Sequence, residues 1–393
     1  MSTSATLAVN TNAVEPPVDF DIAICGAGPV GLTLAALLVQ RGVPAARIIL
    51  LDAKKLADVT VDPRSIAISY GSRQILERVG AWPIAAQAIE QIHVSRRGNF
   101  GRTLIEHTDY GVPALGYVTR YGAVVSALDR AVAATGIRVQ RPARIERVTE
   151  TPHAVTLIID DGSVVRTALL IQAEGGVFAE QPARLRHHDY QQSAIVGHVT
   201  TSQRQPHRAY ERFTAEGPLA LLPQDDGYAL VWCARTASAE RLMALPDSAF
   251  LAELGEMFGE RVGRFNTIGA RFAYPLGLNA QVAPTARTIA IGNAAQTLHP
   301  VAGQGLNLGL RDASVLARLL ASDAAPGALV AFSQQRRVDR SLAIGLTDTM
   351  ARIFASAPDG ALSQSLLGFS LGLVDVVPPL KHALAAQMMF GRR

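Results

Sequence analysis

Apolar residues near the start of the chain occur in two short continuous runs, separated by a glycine-rich turn and a helical segment. The first run, 20–25 (FDIAIC), does not alternate with polar residues, as is typical of a strand buried on both faces of a parallel sheet. Segment 30–40 predicts a helix because Pro29 stands at its first turn and Gly42 follows its end. The second run, 47–52, predicts another buried strand. This order within about 30 residues predicts the start of a βαβ unit.

After residue 139 the pattern changes to short strands joined by tight turns. Strands predicted over 154–159 and 163–166 flank Asp160-Asp161-Gly162, and an Asp-Gly pair at a turn is a strong hairpin signal. A compact strand is predicted over 168–173. Between 186 and 276, short apolar strands alternate with polar turns, which predicts an antiparallel sheet inserted into the first domain. Its strands are predicted over 193–200, 209–213, 219–222 and 228–234.

The remaining pattern is mainly helical. It predicts helices over 72–79 and 122–134, a buried strand over 288–291, a helix from the following turn to about residue 320, and three C-terminal helical segments. Segment 1–18 has neither the basic start nor the apolar stretch of a signal peptide. The sequence contains no run of about 18 or more apolar residues, so no transmembrane helix is predicted.

Composition and charge narrow the function classes. Apolar residues make up 49% of the 393 residues and charged residues 18%, so a large core is available and global disorder is excluded. The formal net charge of +4 is too small to indicate a nucleic-acid partner. Cys25 and Cys233 lie far apart without metal-type spacing, so we expect reduced thiols and no metal site.

The turn after the first strand carries the first candidate site. It reads Gly26-Ala27-Gly28-Pro29-Val30-Gly31, which matches GxGxxG between a strand and a helix. In this motif the first glycine permits the tight turn, the second lets a pyrophosphate approach, and the third lets helix and strand pack closely. Asp52 ends the second strand, where an acid accepts hydrogen bonds from ribose hydroxyls. The motif predicts a dinucleotide without distinguishing FAD from NAD, and glycines that serve only a tight turn are the alternative.

The segment 292–312 carries the second candidate site and favours a flavin. It is a strand end, a loop with glycines at 303, 305 and 309, and the start of a helix. Such a loop can present backbone N–H groups to a planar ring, and a helix N-terminus stabilises the anionic edge of a reduced flavin. A glycine-rich helix start without a ligand is the alternative. The residues predicted to bind the cofactor here are Gly292, Asn293, Pro300, Gly303, Gln304, Gly305, Leu306 and Asn307.

This segment resembles the second FAD motif of the single-component flavoprotein aromatic hydroxylases, the p-hydroxybenzoate hydroxylase superfamily. Its form GNAAQTLHPxAGQG, with Asn293 where the superfamily usually has Asp, is typical of the ubiquinone-biosynthesis hydroxylases of the UbiH, UbiF and UbiI type. The run 62–69 also resembles that subfamily, in which the arginine matching Arg64 lies close to FAD. Glu174-Gly175 stands where the superfamily has an Asp-Gly pair that serves FAD and NADPH, and Glu174 keeps the charge but adds a methylene.

The resemblance covers about residues 19 to 390 and implies an α/β fold. That fold is a Rossmann-like FAD-binding domain with an inserted antiparallel β-sheet substrate domain and C-terminal helices. The predicted parts are a disordered tail over 1–18, the FAD-binding domain over 19–185 and 277–325, the substrate domain over 186–276, and the C-terminal helices over 326–393.

The implied activity is that of an FAD-dependent monooxygenase. NADPH or NADH serves as a transient electron donor without its own GxGxxG motif, and O2 is used to hydroxylate the ring of a polyprenylated phenol in ubiquinone biosynthesis. The sequence does not identify the group that accepts the phenol proton. His299 is a candidate, with a structural role as the alternative, and Arg120 and Tyr121 lie near a helix that approaches FAD in the family. Tyr228 and Trp232 either line the substrate cavity or, as we expect, pack in the core.

The C-terminal segment 362–390 is heavily apolar, and Pro378-Pro379 interrupts it, so it cannot be one spanning helix. It either lies on a membrane surface or forms helices packed on the protein body. The resemblance implies a cytoplasmic protein. It leaves open whether the protein contacts the inner face of the plasma membrane, whether it has partners in a ubiquinone-biosynthesis complex, and whether it forms a homo-oligomer. Two alternative functions remain: a hydroxylase of a small soluble aromatic, and a non-catalytic flavin-binding scaffold in which Glu174 marks lost reductase function.

Overall fold

The first apolar run forms a strand at the centre of a parallel sheet in the computed structural model. This strand, β1 (Phe20–Cys25), pairs in parallel with β2 (Ile48–Leu51), and helix α1 (Pro29–Gln40) connects them. All four residues of β2 are buried, so the continuous apolar run reflects burial on both faces. The predicted βαβ start is confirmed. The structure describes residues 16–62, 64–96, 102–175, 186–280, 284–297, 304–356, 386–387 and 389–390.

Five more strands complete this first sheet, whose order is β8-β2-β1-β11-β10-β9 with β18 paired to β11. The predicted hairpin is confirmed, because β10 and β11 pair in antiparallel register around the Asp160–Ser163 turn. The two strands predicted over 163–166 and 168–173 are one strand, since Thr167 pairs with β10 on one side and β1 on the other. The bounds are β8 (Arg138–Gln140), β9 (Ile145–Glu150), β10 (Val155–Ile159), β11 (Val164–Gln172) and β18 (Thr288–Ala290).

A second sheet of nine strands is built largely from the predicted insertion. It also takes β5 and β6 from residues ahead of 186 and β19 from beyond 276. Strands β13 and β5 pair in parallel, and the other strand pairs of this sheet are antiparallel. Its bounds are β5 (Gln91–Arg96), β6 (Arg102–Glu106), β12 (Arg186–Thr201), β13 (Arg208–Phe213), β14 (Pro218–Gln224), β15 (Gly227–Arg235), β16 (Phe265–Ile268), β17 (Phe272–Ala280) and β19 (Gln296–Thr297).

The two faces of the nine-stranded sheet have different neighbours. Helices α5 (Thr236–Ala244) and α6 (Asp247–Phe258), which the pattern did not predict, cover what we call the outer face with a core that includes Trp232 and Phe250. The opposite, inner face meets a three-stranded sheet through a cluster of Ile89, Val118 and Ala209. That small sheet consists of β3 (Ser65–Ser69), β4 (Ala86–Ile89) and β7 (Gly116–Arg120).

The remaining helices pack around the parallel sheet. Helices α1 and α7 cross closely at a glycine. A Cβ on Gly309 of α7 would lie 2.6 Å from Cγ2 of Val30 on α1. Helix α8 is one helix of 31 residues in a region where several shorter segments were expected, and 357–385 lie outside the described residues. None of the described helices is long and apolar enough to cross a membrane. The bounds are α2 (Leu56–Thr60), α3 (Tyr70–Arg78), α4 (Tyr121–Ala133), α7 (Gln304–Ser322) and α8 (Pro326–Ser356).

Candidate cofactor and substrate site

Two glycines of the first motif are required by the backbone geometry and packing of the protein, independently of any ligand. Gly26 has φ +107°, and a Cβ there would lie 2.6 Å from the backbone of Ala173. A Cβ on Gly31 would lie 1.9 Å from the carbonyl oxygen of Gly26. Both positions therefore need glycine so that the turn can form and α1 can pack on it.

Gly28 differs from these two glycines. Its φ of −77° and ψ of −177° describe extended backbone that any residue adopts, and a Cβ there would meet only the Tyr121 hydroxyl, at 3.2 Å. Gly28 is the N-cap of α1 and provides no side-chain cap, so the first-turn amides of that helix have no acceptor within the helix. Bare amides at a helix N-terminus beside open space suit a pyrophosphate, and FAD therefore fits this turn.

Asp52 lies at the end of β2, as predicted, but its carboxylate also organises the turn. Oδ2 accepts a hydrogen bond from the Ala27 amide at 2.6 Å, and Oδ1 accepts one from the Lys54 amide at 2.7 Å. Each carboxylate oxygen has a second lone pair. A hydrogen bond from a ribose hydroxyl to Asp52 remains a prediction that this geometry permits.

The second motif packs directly against the first. Gly292 has φ +59°, and a Cβ there would lie 3.2 Å from Val30 Cγ2. Beside it, Asn293 lies between two other glycines: a Cβ on Gly305 would be 3.6 Å from its Oδ1, and a Cβ on Gly175 would be 3.6 Å from its own Cβ. Three predicted site segments therefore meet at Asn293. They are the residues after β11, the residues after β18 and the start of α7.

Helix α7 begins beside Asn293 and contributes backbone amides. The amides of Gly305 and Leu306 belong to its first turn and have no acceptor within the helix. The side chain of Asn307 has a structural role, since its Oδ1 accepts from the Ser69 amide at 2.8 Å and its Nδ2 donates to the Ala67 carbonyl at 3.1 Å. Predicted site residues that lie outside the described part are His299, Pro300, Gly303 and the side chain of Gln304.

Arg64 lies near the same turn through Tyr121. Its Nε donates to Oδ1 and Oδ2 of Asp62 at 3.0 and 2.9 Å, and its Nη2 donates to Oδ2 at 2.7 Å. The guanidinium also stacks 4.8 Å from the centre of the Tyr121 ring. The hydrogen bond to Asp62 is the main cause that raises the pKa of Arg64, and burial raises the pKa of Tyr121. Arg120 instead forms an exposed ion pair with Asp225, so of the two neighbouring candidates only Tyr121 contacts the glycine turn.

Glu174 follows β11 where that strand meets the glycine turn, and a Cβ on Gly26 would lie 2.6 Å from its backbone nitrogen. Burial raises the pKa of Glu174, and the charge of Asp52 raises it further. Two carboxylates therefore converge on the dinucleotide end of the site, as the position of the superfamily's Asp-Gly pair implies.

A buried ion cluster stands behind the second motif, and sequence reasoning did not find it. Asp312 on α7 has no accessible surface; it accepts from Arg336 at 2.6 Å and from Arg340 at 2.7 Å. Burial raises the pKa of Asp312, but the two arginines lower it more, so the net shift is downward. The same carboxylate lies 3.5 Å from the Gly292 amide. The signal in the sequence was the three-residue spacing from Arg336 to Asp339 on one helix, which also form an ion pair at 2.7 Å.

The aromatic candidates lie on the outer face. Tyr228 and Trp232 pack with Phe250 in the core beneath α5 and α6, and neither side chain is more than 3% exposed. The expectation of core packing is therefore confirmed for both. Cys25 and Cys233 are free and buried.

Comparison with known proteins agrees with this geometry. Residues 19–339 match the family described as FAD binding domain, and the chain belongs to that family. A ubiquinone hydroxylase, UbiL, of Rhodospirillum rubrum is 33% identical over 391 residues, which cover 94% of this chain and 89% of that protein. The 3-demethoxyubiquinol 3-hydroxylase of Escherichia coli is 31% identical over 312 residues, covering 76% of this chain and 79% of the other.

Solved structures show the same fold at lower identity. The p-nitrophenol 4-monooxygenase PnpA of Pseudomonas putida superposes with a TM-score of 0.74 at 16% identity, covering 96% of this chain and all of the other. HpxO of Klebsiella pneumoniae, solved with FAD, has a TM-score of 0.70 at 14% identity, covering 95% and 99%. The predicted fold class, the FAD cofactor and the class of FAD-dependent monooxygenase are thereby confirmed.

Proposed function

We propose that this enzyme hydroxylates the ring of a polyprenylated phenol in ubiquinone biosynthesis, using O2 and NADPH or NADH. The similarity to ubiquinone-pathway hydroxylases along most of the chain carries the proposal. The site supports it, because two glycine motifs that suit opposite ends of one FAD pack against each other at Val30 and Gly292.

FAD, when bound, supplies electron transfer and activation of O2, and this chain's residues bind and orient it. The first-turn amides of α1 beside Gly28 would hold the pyrophosphate, and Asp52 would accept a hydrogen bond from the ribose. Asn293 would bind the ribityl chain, and the amides of Gly305 and Leu306 would bind the flavin ring. These contacts use helix N-termini rather than lysines, so they stabilise negative charge without side-chain ordering.

The proposal includes the electron donor, NADPH or NADH, and the question of which residues could contact a membrane or a partner protein. The sequence contains one GxGxxG motif, which fits a nicotinamide cofactor that binds transiently, and Glu174 lies where it can contribute to both nucleotides. At the C-terminus, Met389 is 5% exposed and Phe390 packs edge-on to Tyr70 at 6.0 Å. This end of the apolar segment therefore packs on the protein body, and membrane contact or a partner complex would involve other residues.

The experiment compares one phenol with no tail, a short prenyl tail and a long prenyl tail, each in detergent. We would measure substrate-dependent NADPH oxidation and product mass. Each buried CH₂ contributes about 0.8 kcal/mol, so kcat/KM should rise steeply with tail length. Equal kcat/KM for the three phenols would favour the small-aromatic alternative. NADPH oxidation that no phenol accelerates would favour the scaffold.

A further inference from the structure

The two faces of strand β13 carry different chemistry. Tyr210 points to the outer face, where its ring packs against Phe258 of α6 at 5.5 Å between centroids. Its neighbour Ala209 belongs to the inner-face cluster with Ile89 and Val118. Side chains alternate along a strand, so Glu211 projects from the inner face, which is turned toward the FAD-binding part of the chain.

The surroundings of Glu211 on that face are apolar and small. Its register partners are Val94 on β5 and Ala220 on β14, and Ala220 is paired in turn with Val231 on β15. Val231 belongs to an inner-face cluster that continues through Ala194 to Leu276 on β17. Strand β17 pairs with β19, which lies within the flavin motif. Apolar side chains therefore extend from the neighbours of Glu211 across the inner face to Leu276 on β17, the strand that pairs with the flavin motif.

The carboxyl of Glu211 has no partner on this face among the described residues. The side chain keeps part of its accessible surface, although protein surrounds it closely enough for burial to raise its pKa to about 7. A carboxyl in an apolar environment without a hydrogen bond is costly unless a bound group satisfies it. The side chains opposite it, Val94 and Ala220, carry no polar group that could satisfy the carboxyl.

We propose that Glu211 is the residue that accepts the hydroxyl proton of the phenol substrate, a role that rests on the proposed function. Its carboxylate accepts a hydrogen bond from the phenol O–H. As the ring is attacked, that O–H bond breaks, the proton passes to Glu211, and the electron pair stays on the phenol oxygen. A base with a pKa near the working pH is effective in this role.

Two other ionisable groups lie near Glu211 on the inner face. Cys233 is a thiol whose pKa burial raises strongly, and the charge of Glu211 raises it further, so Cys233 stays neutral. Arg96 follows Val94 by two residues on β5; burial lowers its pKa, and its Nη1 is buried without a hydrogen-bond partner in the described part of the chain. In the three-stranded sheet, the uncharged Ile89 and Val118 pack on this face, and the charged Arg120 forms its ion pair with Asp225 in the turn after β14. Three histidines have partners elsewhere: His93 packs on the Tyr210 ring of the outer face, His198 contacts Gln224 and Asp226, and His207 contacts Gln87. The comparison of the native enzyme with Glu211→Gln therefore decides whether a pH dependence of binding belongs to Glu211.

The test measures the Kd of an ortho-geranylated phenol for the oxidised FAD-loaded enzyme by calorimetry, without NADPH, so that no turnover occurs. The phenol stays protonated below about pH 10. A carboxyl of pKa about 7 goes from about one-eleventh to ten-elevenths ionised between pH 6 and 8. The Kd should therefore fall by up to about tenfold over this range in the native enzyme and stay constant in Glu211→Gln. Glu211→Asp should restore the pH dependence, and Glu256→Gln, on the exposed surface of α6, is the control that should match the native enzyme.

The two proposals fail in distinguishable ways. If the native enzyme binds and hydroxylates the phenol but its Kd is independent of pH, or if Glu211→Gln keeps the same dependence, Glu211 is not the proton acceptor and the proposed function stands. If no phenol of the tail series accelerates NADPH oxidation by the native enzyme, the proposed function fails first. Equal melting temperatures and FAD content in the three variants and the native enzyme ensure that a lost pH dependence does not reflect a lost fold.

Discussion

Replacing Gly28 by alanine separates what the protein requires of its first glycine motif from what FAD requires. The backbone at Gly28 is extended, so alanine adopts it without strain. The new methyl group would approach only the Tyr121 hydroxyl, at 3.2 Å, which is the far end of a side chain. The open space that it fills is the path by which we propose that the pyrophosphate approaches the first turn of α1.

The magnitudes follow from these contacts. A Gly-to-Ala change at a compatible backbone position stabilises a protein by about 0.4–1 kcal/mol through the unfolded chain. The tight Tyr121 contact offsets part of that, so the free energy of unfolding of the apoprotein should change by less than about 1 kcal/mol. Loss of one amide–phosphate hydrogen bond costs about 1.5–3 kcal/mol, and about 1.4 kcal/mol is tenfold in affinity. The Kd for FAD should therefore rise by roughly 10- to 100-fold.

The assay is titration of apoprotein with FAD by flavin fluorescence, beside thermal unfolding of the same apoprotein. Gly31→Ala should instead prevent folding, because its Cβ would lie 1.9 Å from the Gly26 carbonyl oxygen. Gly327→Ala is the control, since nothing lies within 4 Å of its Cβ position near the start of α8. An unchanged FAD affinity in Gly28→Ala would refute the pyrophosphate assignment, and an unfolded Gly28→Ala apoprotein would refute the distinction between the two glycines.

Three further substitutions test other parts of the site. Glu174→Gln should slow anaerobic reduction of the flavin by NADPH severalfold at an unchanged melting temperature; an equal reduction rate would leave this residue a structural role only. Asp312→Ala removes the carboxylate shared by the buried Arg336, which keeps Asp339, and the partly buried Arg340, and it should lower the free energy of unfolding by about 3–5 kcal/mol in denaturant titrations at pH 7; a loss below about 1 kcal/mol would show that the cluster is dispensable. Asn307→Ala removes two hydrogen bonds to β3 and should cost about 1–3 kcal/mol with weaker FAD retention, whereas full retention would separate this contact from the cofactor.

The sequence predicted those parts of the fold whose cause is local. The first strand was predicted with its observed bounds, because a six-residue run with five apolar residues that ends at a glycine turn specifies a buried strand with few alternatives. The hairpin after β10 was predicted because an Asp-Gly turn is specified by neighbouring residues alone. The glycines at 26 and 31 were assigned their packing roles from the motif, and the observed contacts agree.

Other features depend on contacts between distant segments, which a local pattern does not contain. Strand β5 joins the second sheet by pairing with β13, more than a hundred residues later in the chain, so the boundary of the predicted insertion could not show it. Glu211 has no motif around it, and its importance comes from the face of β13 on which it lies. Asn307 belongs to a cofactor motif, yet its side chain supports β3, a partner that the motif does not reveal.

The ion cluster behind the flavin motif shows how an interior charge can serve a cofactor site that it does not enter. Asp312 lies near the amide of Gly292 and is held by two arginines of α8, so the position of α8 and the geometry of the Gly292 turn depend on one buried carboxylate. Asp339, on the same helix, accepts from Gln387 at 3.1 Å. Buried ion pairs add little net stability compared with apolar packing, but they penalise arrangements that leave a charge unpaired. A displacement of α8 relative to the flavin turn would separate Asp312 from Arg336 and Arg340, so the cluster favours the observed placement of α8 and, through Asp339 and Gln387, of the last described residues.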